Sequence, residues 1–188
     1  MRRLARIAAA ALGLAVALLV WARARPLLRG GPPVPSAAAL EQARRVRILR
    51  DRWGVPHVFG QSDADAAFGL AYAHAEDDWP TIQGVLAAAR GRLSLLQLSR
   101  TALANDYYVE LVRVRDQVDQ QYRQYGADFR AVLESYADGL NLYAARHPAE
   151  ADSRLLPLSG KDIAAGFAHK IPIMLGLPGV LGSIDRPS

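Results

Sequence analysis

Val46-Arg47-Ile48 alternates apolar and charged residues, and Leu49-Arg50 carries the alternation to Asp51, as a half-buried strand does. Asp51 to Gly54 reads as a turn and Pro56 to Phe59 as a second extended piece closed by Gly60, so a β hairpin is expected. Ser62 or Asp63 can then cap a helix whose first turn carries Asp63 and Asp65, favourably placed against the helix dipole. The apolar surface of that helix is built mainly from small residues, Ala66, Ala67, Gly69, Ala71, Ala73 and Ala75, so neighbours can approach it closely. Pro80 removes a helical donor and disfavours helix at Trp79; a second helix can start there, with Asp77 or Asp78 as its cap, and run to Gly91. A short apolar cluster, Leu93, Leu95, Leu96 and Leu98, follows. Helical spacing returns over 109–124 and 128–146, with Gly126 and Asp128 at the boundary. In the later segment Phe129, Val132, Leu133, Tyr136, Leu140 and Tyr143 form one stripe, expected to pack in the core. His147-Pro148 ends it, and Ser159 precedes a last helix over 161–175, interrupted or bent at Pro172. The fold class expected is mostly α with a short N-terminal β hairpin.

The hydropathy pattern before residue 45 is of another kind. Arg2, Arg3 and Arg6 precede an apolar run from Ile7 to Ala22, and Ala22-Arg23-Ala24 offers small residues at the positions a signal peptidase reads. Residues 1–24 are therefore expected to be a signal peptide or membrane anchor, the run of 16 residues being short for a spanning helix. Pro26, Gly30, Gly31, Pro32, Pro33 and Pro35 mark 25–44 as a linker. The folded part is then 45–188, exported to the periplasm or anchored facing it. The formal net charge is +5, and Arg2, Arg3, Arg6 and Arg23 contribute +4 of it within 1–24, leaving +1 for the rest, which removes the main support for a nucleic-acid partner. With 51% hydrophobic residues the chain is not a disordered one, and without cysteine it has neither disulfides nor a thiolate nucleophile.

Candidate chemistry is sparse. His57, His74, His147 and His169 lie far apart, without paired ligand spacing, so no metal site is expected from them. Glu76, Asp77 and Asp78 are the densest acidic patch; calcium binding or acid–base work is open to them, and helix capping is the simpler account. No Gly-x-Ser-x-Gly elbow, phosphate loop or dinucleotide fingerprint occurs.

Four motifs in order carry a resemblance. Arg50-Asp51-Arg52-Trp53-Gly54-Val55-Pro56-His57-Val58 resembles the opening strand motif of the penicillin amidase (penicillin acylase) family. Phe68-Gly69-Leu70-Ala71-Tyr72-Ala73-His74-Ala75-Glu76-Asp77 is similar to its next helix. Gly91-Arg92-Leu93 and Tyr136-Ala137-Asp138-Gly139-Leu140-Asn141 resemble two later motifs. The likeness covers about 46–175.

The resemblance implies the α-chain part of an αββα N-terminal nucleophile hydrolase. In that family an exported precursor cuts itself into a small α chain and a large β chain, and the nucleophile is the serine at the new β-chain N-terminus. Only the α side is resembled here, so no catalytic residue is assigned and the β chain of the same precursor is the expected partner. The expected activity is hydrolysis of N-acyl amides, such as β-lactam side chains or acyl-homoserine lactones, with this chain inactive alone. By position in the late helix, Ile171, Met174 and Leu175 are the candidates for the acyl pocket, an aliphatic wall. No cofactor is expected: some members bind calcium through an α-chain glutamate just past this helix, and here no glutamate follows Glu150. The competing reading is a membrane-tethered helical interaction module without catalysis.

Overall fold

The computed structural model describes residues 34–176 and, ahead of them, Gly13, Leu14 and Val16. The leader expected over 1–24 and the proline-rich start of the linker thus lie almost wholly outside the described residues. Among the described residues no helix is long and apolar enough to cross a membrane.

The linker expected over 25–44 gives way to helix α1 (Ala37–Arg45). The reason is local: the prolines stop at Pro35, and the Ser36 side chain accepts the Ala39 N–H at 3.0 Å, capping a stretch with neither Gly nor Pro. Buried Ala39 packs against Phe68 and Leu142, and Arg45 pairs at 3.0 Å with buried Asp65.

Strands β1 (Arg47–Arg50) and β2 (Pro56–Phe59) form the expected antiparallel hairpin, with Arg47 opposite Phe59 and Ile48 opposite Val58. The Asp51 carboxylate accepts the Trp53 and Val55 N–H groups at 2.8 and 3.0 Å, and Gly54 supplies the positive φ (85°) that the turn needs. Half-buried Ile48 and Val58 face helix α2 (Asp63–Ala89) at Gly69, where a Cβ would come within 2.6 Å of Val58.

Helix α2 is two helices joined at a kink. Asp78 leaves helical geometry (φ −156°, ψ 65°), and its carboxylate accepts the Thr81 N–H at 3.2 Å, so Asp78 caps the half that starts around Pro80 as expected. Short α3 (Leu93–Leu96) is capped from a distance: Asp106 accepts the N–H groups of Leu93 and Ser94 at 2.8 and 3.0 Å. Asp106 belongs to α4 (Arg100–Leu111), a helix the hydrophobic pattern did not reveal.

The single helix expected over 109–124 is broken. α4 ends at Leu111, Arg113 takes a left-handed conformation (φ 55°), and α5 (Val114–Gln121) passes into a 3-10 turn, Tyr122–Gln124. The break lets Val109 and Val114, on either side of it, bury in one cluster with Val118, Tyr122 and Leu133. Helix α6 (Ala127–Arg146) matches the expected segment, and α7 (Gly160–Met174) starts at the Ser159–Asp162 capping box and continues through Pro172.

The most extensive packing is between α2 and α6. Ala71, Ala75, Ala137, Leu140 and Ala144 meet around buried Trp79 and Tyr143. Contact is so close that a Cβ on Gly139 would collide with the Phe68 carbonyl oxygen. The small-residue face of α2 is what permits this approach.

Candidate functional site

Helices α2, α6 and α7 diverge on one side and leave an apolar groove of about 600 Å³. Leu70 and Val85 form one wall, Phe129 and Val132 the other, and Ile163 and Phe167 the third. The aromatic stripe of α6 therefore divides. Leu133, Leu140 and Tyr143 are buried, whereas Phe129, expected in the core, is 51% exposed on the groove wall. Phe129 packs against Tyr125, ring centroids 5.4 Å apart, and lines the groove. Polar groups are few: at one end His74 Nδ1 lies 2.9 Å from the Tyr136 hydroxyl, and Thr81, Asp162 and Lys170 complete the lining. Burial pushes the Tyr136 pKa up, so the phenol is neutral and acts as a hydrogen-bonding group.

Ile171, Met174 and Leu175 lie together on the last turn of α7 and beyond it, at 51%, 75% and 80% exposure. They are outside the residues that line the groove, which α7 touches with Ile163, Gly166, Phe167 and Lys170.

The acidic patch has structural partners. Arg50 donates to the Gly54 carbonyl at 2.8 Å and pairs with Glu76 at 3.1 Å and Asp77 at 2.8 Å, tying hairpin to helix. Two of the recognised motifs are thus joined by one guanidinium. His57 faces Asp51 at 3.6 Å, and His169 Nε2 lies 2.8 Å from the Asn105 side-chain oxygen. Among the described residues no group of three or more His, Asp or Glu is placed to hold a metal ion. Glu150 accepts the Tyr143 hydroxyl at 2.9 Å, while its carbonyl accepts from Trp79 Nε1 at 3.2 Å. Burial and the Glu150 carboxylate push the Tyr143 pKa up to about 12.

One charged cluster escaped the sequence reading. Asp162 is 2% exposed and accepts from Arg90 Nε at 2.7 Å, from Arg115, and from the Ser159 N–H and hydroxyl at 2.8 and 2.9 Å. Burial opposes its ionisation, yet Arg90 and Ser159 outweigh burial and hold its pKa at about 2. The Ser159-x-x-Asp162 spacing signalled the capping box; nothing local signalled the arginines.

The sequence model of the penicillin amidase family matches residues 45–168. The chain is 29% identical over 122 residues to penicillin acylase 2 proenzyme of Pseudomonas sp. (strain SE83), covering 65% of this chain and 15% of that protein. It is 31% identical over 105 residues to acyl-homoserine lactone acylase QuiP of Pseudomonas aeruginosa, covering 56% and 12%. The chain thus spans about an eighth to a seventh of the length of these relatives. In fold it is similar to thermostable penicillin G acylase from Alcaligenes faecalis, with a TM-score of 0.58 at 22% identity over 69% of this chain and 73% of that one. The mostly α architecture with its N-terminal hairpin shares the fold of that acylase over the region compared. On the match across 45–168, the chain belongs to the penicillin amidase family.

Proposed function

We propose that this chain is the α-chain region of an exported N-acyl amide hydrolase, synthesised as a precursor with a β chain that carries the N-terminal serine nucleophile. The family match over 45–168 carries the proposal. Amide hydrolysis on β-lactam side chains or acyl-homoserine lactones is the activity that the names of the relatives support. The unfilled apolar groove fits the partner reading, because an exposed continuous patch of this kind marks an interaction surface. In this reading the β chain covers the groove, and Ile171, Met174 and Leu175, exposed on the adjoining end of α7, form part of the acyl wall. The leader directs the protein to the periplasm, and no cofactor takes part.

The coding DNA beyond codon 188 and the activity of its product test the proposal together. Expected are an in-frame self-cleavage junction, a two-chain product and turnover of acyl amides, with no turnover by the 188-residue chain alone. Turnover by the 188-residue chain without a β chain would overturn the assignment of the nucleophile. A non-catalytic product with a β-rich continuation lacking the N-terminal serine would instead support an interaction module.

A further inference from the structure

We infer that His169 is an acid-sensitive latch on α7, whose release lets the second half of that helix, with Phe167 and Lys170, swing away from the groove. The latch is a property of this chain by itself, whatever reaction the assembled protein carries out.

Helix α7 is tied to the rest of the chain at two levels. Its first turn is pinned by Asp162, which Arg90 and Arg115 grip. Two turns further on, His169, only 6% exposed, donates from Nε2 to the Asn105 side-chain oxygen at 2.8 Å. Asn105 itself sets the direction of that bond. Its amide nitrogen donates to the Ala88 carbonyl at 3.0 Å and to Asp106 Oδ1 at 3.1 Å, which leaves only its oxygen for the histidine. One asparagine on α4 thus joins α7 to the end of α2, and Asp106 carries the bonding on to the amides of Leu93 and Ser94 at α3. Between the two ties lies Gly166, on the groove lining and with nothing within 4 Å of its would-be Cβ, where the helix is most easily bent.

A second proton on the imidazole goes to Nδ1, which has no protein partner among the described residues. The cation so formed is buried beside the Tyr108 ring, edge to face at 6.1 Å, with no free carboxylate facing it among the described residues. On α4, Asp106 is committed to Leu93, Ser94 and Asn105; burial opposes its ionisation, yet those donors outweigh burial and keep its pKa below the ordinary 3.8. On α7 the next residue is a further cation, Lys170. On α2 and α5, Arg90, Arg115 and Asp119 are engaged with Asp162 and Lys161 at the first turn of α7. A buried imidazolium without a counter-charge favours the open form. Burial, and after it Lys170, push the His169 pKa below the ordinary 6.5. The closed helix therefore holds the neutral ring: the latch is whole above the ordinary value and is lost as pH falls from there through the folded one. Asp162 titrates at about 2, so the first turn stays pinned throughout and only the half beyond Gly166 is released.

Amide hydrogen exchange of the full 188-residue chain, as wild type and His169→Gln, tests the latch between about pH 7.5 and about pH 5, the range in which histidine titrates, after correction for the intrinsic pH dependence of exchange. Glutamine keeps a nitrogen donor for Asn105 and does not titrate. In the wild type, protection of the amides over 167–174 should fall below pH 6.5 by up to about tenfold per pH unit, the limit for one proton. The region of α1 and the hairpin, held by Arg45 and Arg50, should keep its protection. In H169Q the protection of 167–174 should be flat over the same range. Equal falls in wild type and H169Q, or a fall that extends to the hairpin, would overturn the latch. Proton NMR titration of the His169 ring gives a second reading that needs no variant: a midpoint below 6.5 is expected, and one at or above it would overturn the inference.

Discussion

Arg90 and Asp162, 72 positions apart, meet fork to fork: Nε reaches Oδ1 and Nη2 reaches Oδ2, both at 2.7 Å. The pair locks the end of α2 to the start of α7, and Arg90 also donates to the carbonyls of Leu155 and Pro157. It therefore sets the position of one groove wall. Replacing Asp162 with Asn leaves the largely shielded Arg90 without its counter-charge, and should destabilise the chain by about 3 kcal/mol. Urea unfolding of the 188-residue chain at neutral pH checks this.

The same carboxylate makes a pH prediction. Its folded pKa, about 2, lies below the ordinary 3.8, so its ionisation stabilises the fold above the ordinary value and that contribution is lost as pH falls through the folded one. The difference in unfolding free energy between wild type and D162N should be full above about pH 5 and shrink between about pH 4 and pH 2. A difference that stays constant down to pH 2 would mean that hydrogen bonding, not charge, holds the pair.

Gly139 should tolerate no side chain. A Cβ there meets the Phe68 carbonyl oxygen and lies 3.0 Å from the Ala71 Cβ, so Gly139→Ala must part α2 from α6. A cost of about 1 to 3 kcal/mol is expected, as for other overpacked sites. Gly84, in the second half of α2 with nothing within 4 Å of its would-be Cβ, is the control. Gly84→Ala should stabilise by about 0.5 to 1 kcal/mol through helix propensity alone. Thermal melts of the two variants should move in opposite directions.

Local signals explain which parts of this fold the sequence disclosed. The hairpin, the Asp78 cap before Pro80, the α6 stripe and the helix start after Ser159 each depend on residues within a few positions of one another. The break at Arg113 has no glycine to announce it; burial of both Val109 and Val114 imposes it. Helix α4 presents Leu103, Tyr107 and Leu111 outward, and its clearest role, capping α3 through Asp106, crosses 12 or 13 positions. The groove was invisible for a similar reason. Phe129 and Leu133 follow one periodicity on α6, and only the course of α7 decides which is covered.

Arg50 should act as a clamp that lysine cannot replace. Its guanidinium serves Gly54, Glu76 and Asp77 together, a geometry that needs a planar fork. Arg50→Ala and Arg50→Lys should both increase amide hydrogen exchange across β1 and β2, with little change in α6. Only part of the site is shielded from water, so the global cost should be about 1 kcal/mol. Exchange that rises equally in α6 would show that the hairpin does not open as a separate unit.

The acyl wall and the groove can be separated by volume. If Ile171, Met174 and Leu175 line the pocket, the wall is aliphatic and adaptable, and each methylene of substrate is worth about 1 to 3 kcal/mol, giving a graded preference for longer chains. Met174→Trp and Leu175→Trp should then shift the preferred acyl chain shorter, measured as kcat/KM over an acyl series for the assembled two-chain enzyme. Val85→Trp, on the groove wall covered by the β chain in this reading, should lower the yield of assembled enzyme and leave the chain-length profile of the remainder unchanged. The reverse result, with the profile moved by V85W and untouched by M174W and L175W, would place the acyl group in the groove and remove the end of α7 from the pocket. The contrast is sharp because Met174 and Leu175 are at least three-quarters exposed in the chain alone, where extra volume at either position meets no core. A loss of chain stability therefore cannot imitate a change of substrate preference at those two residues.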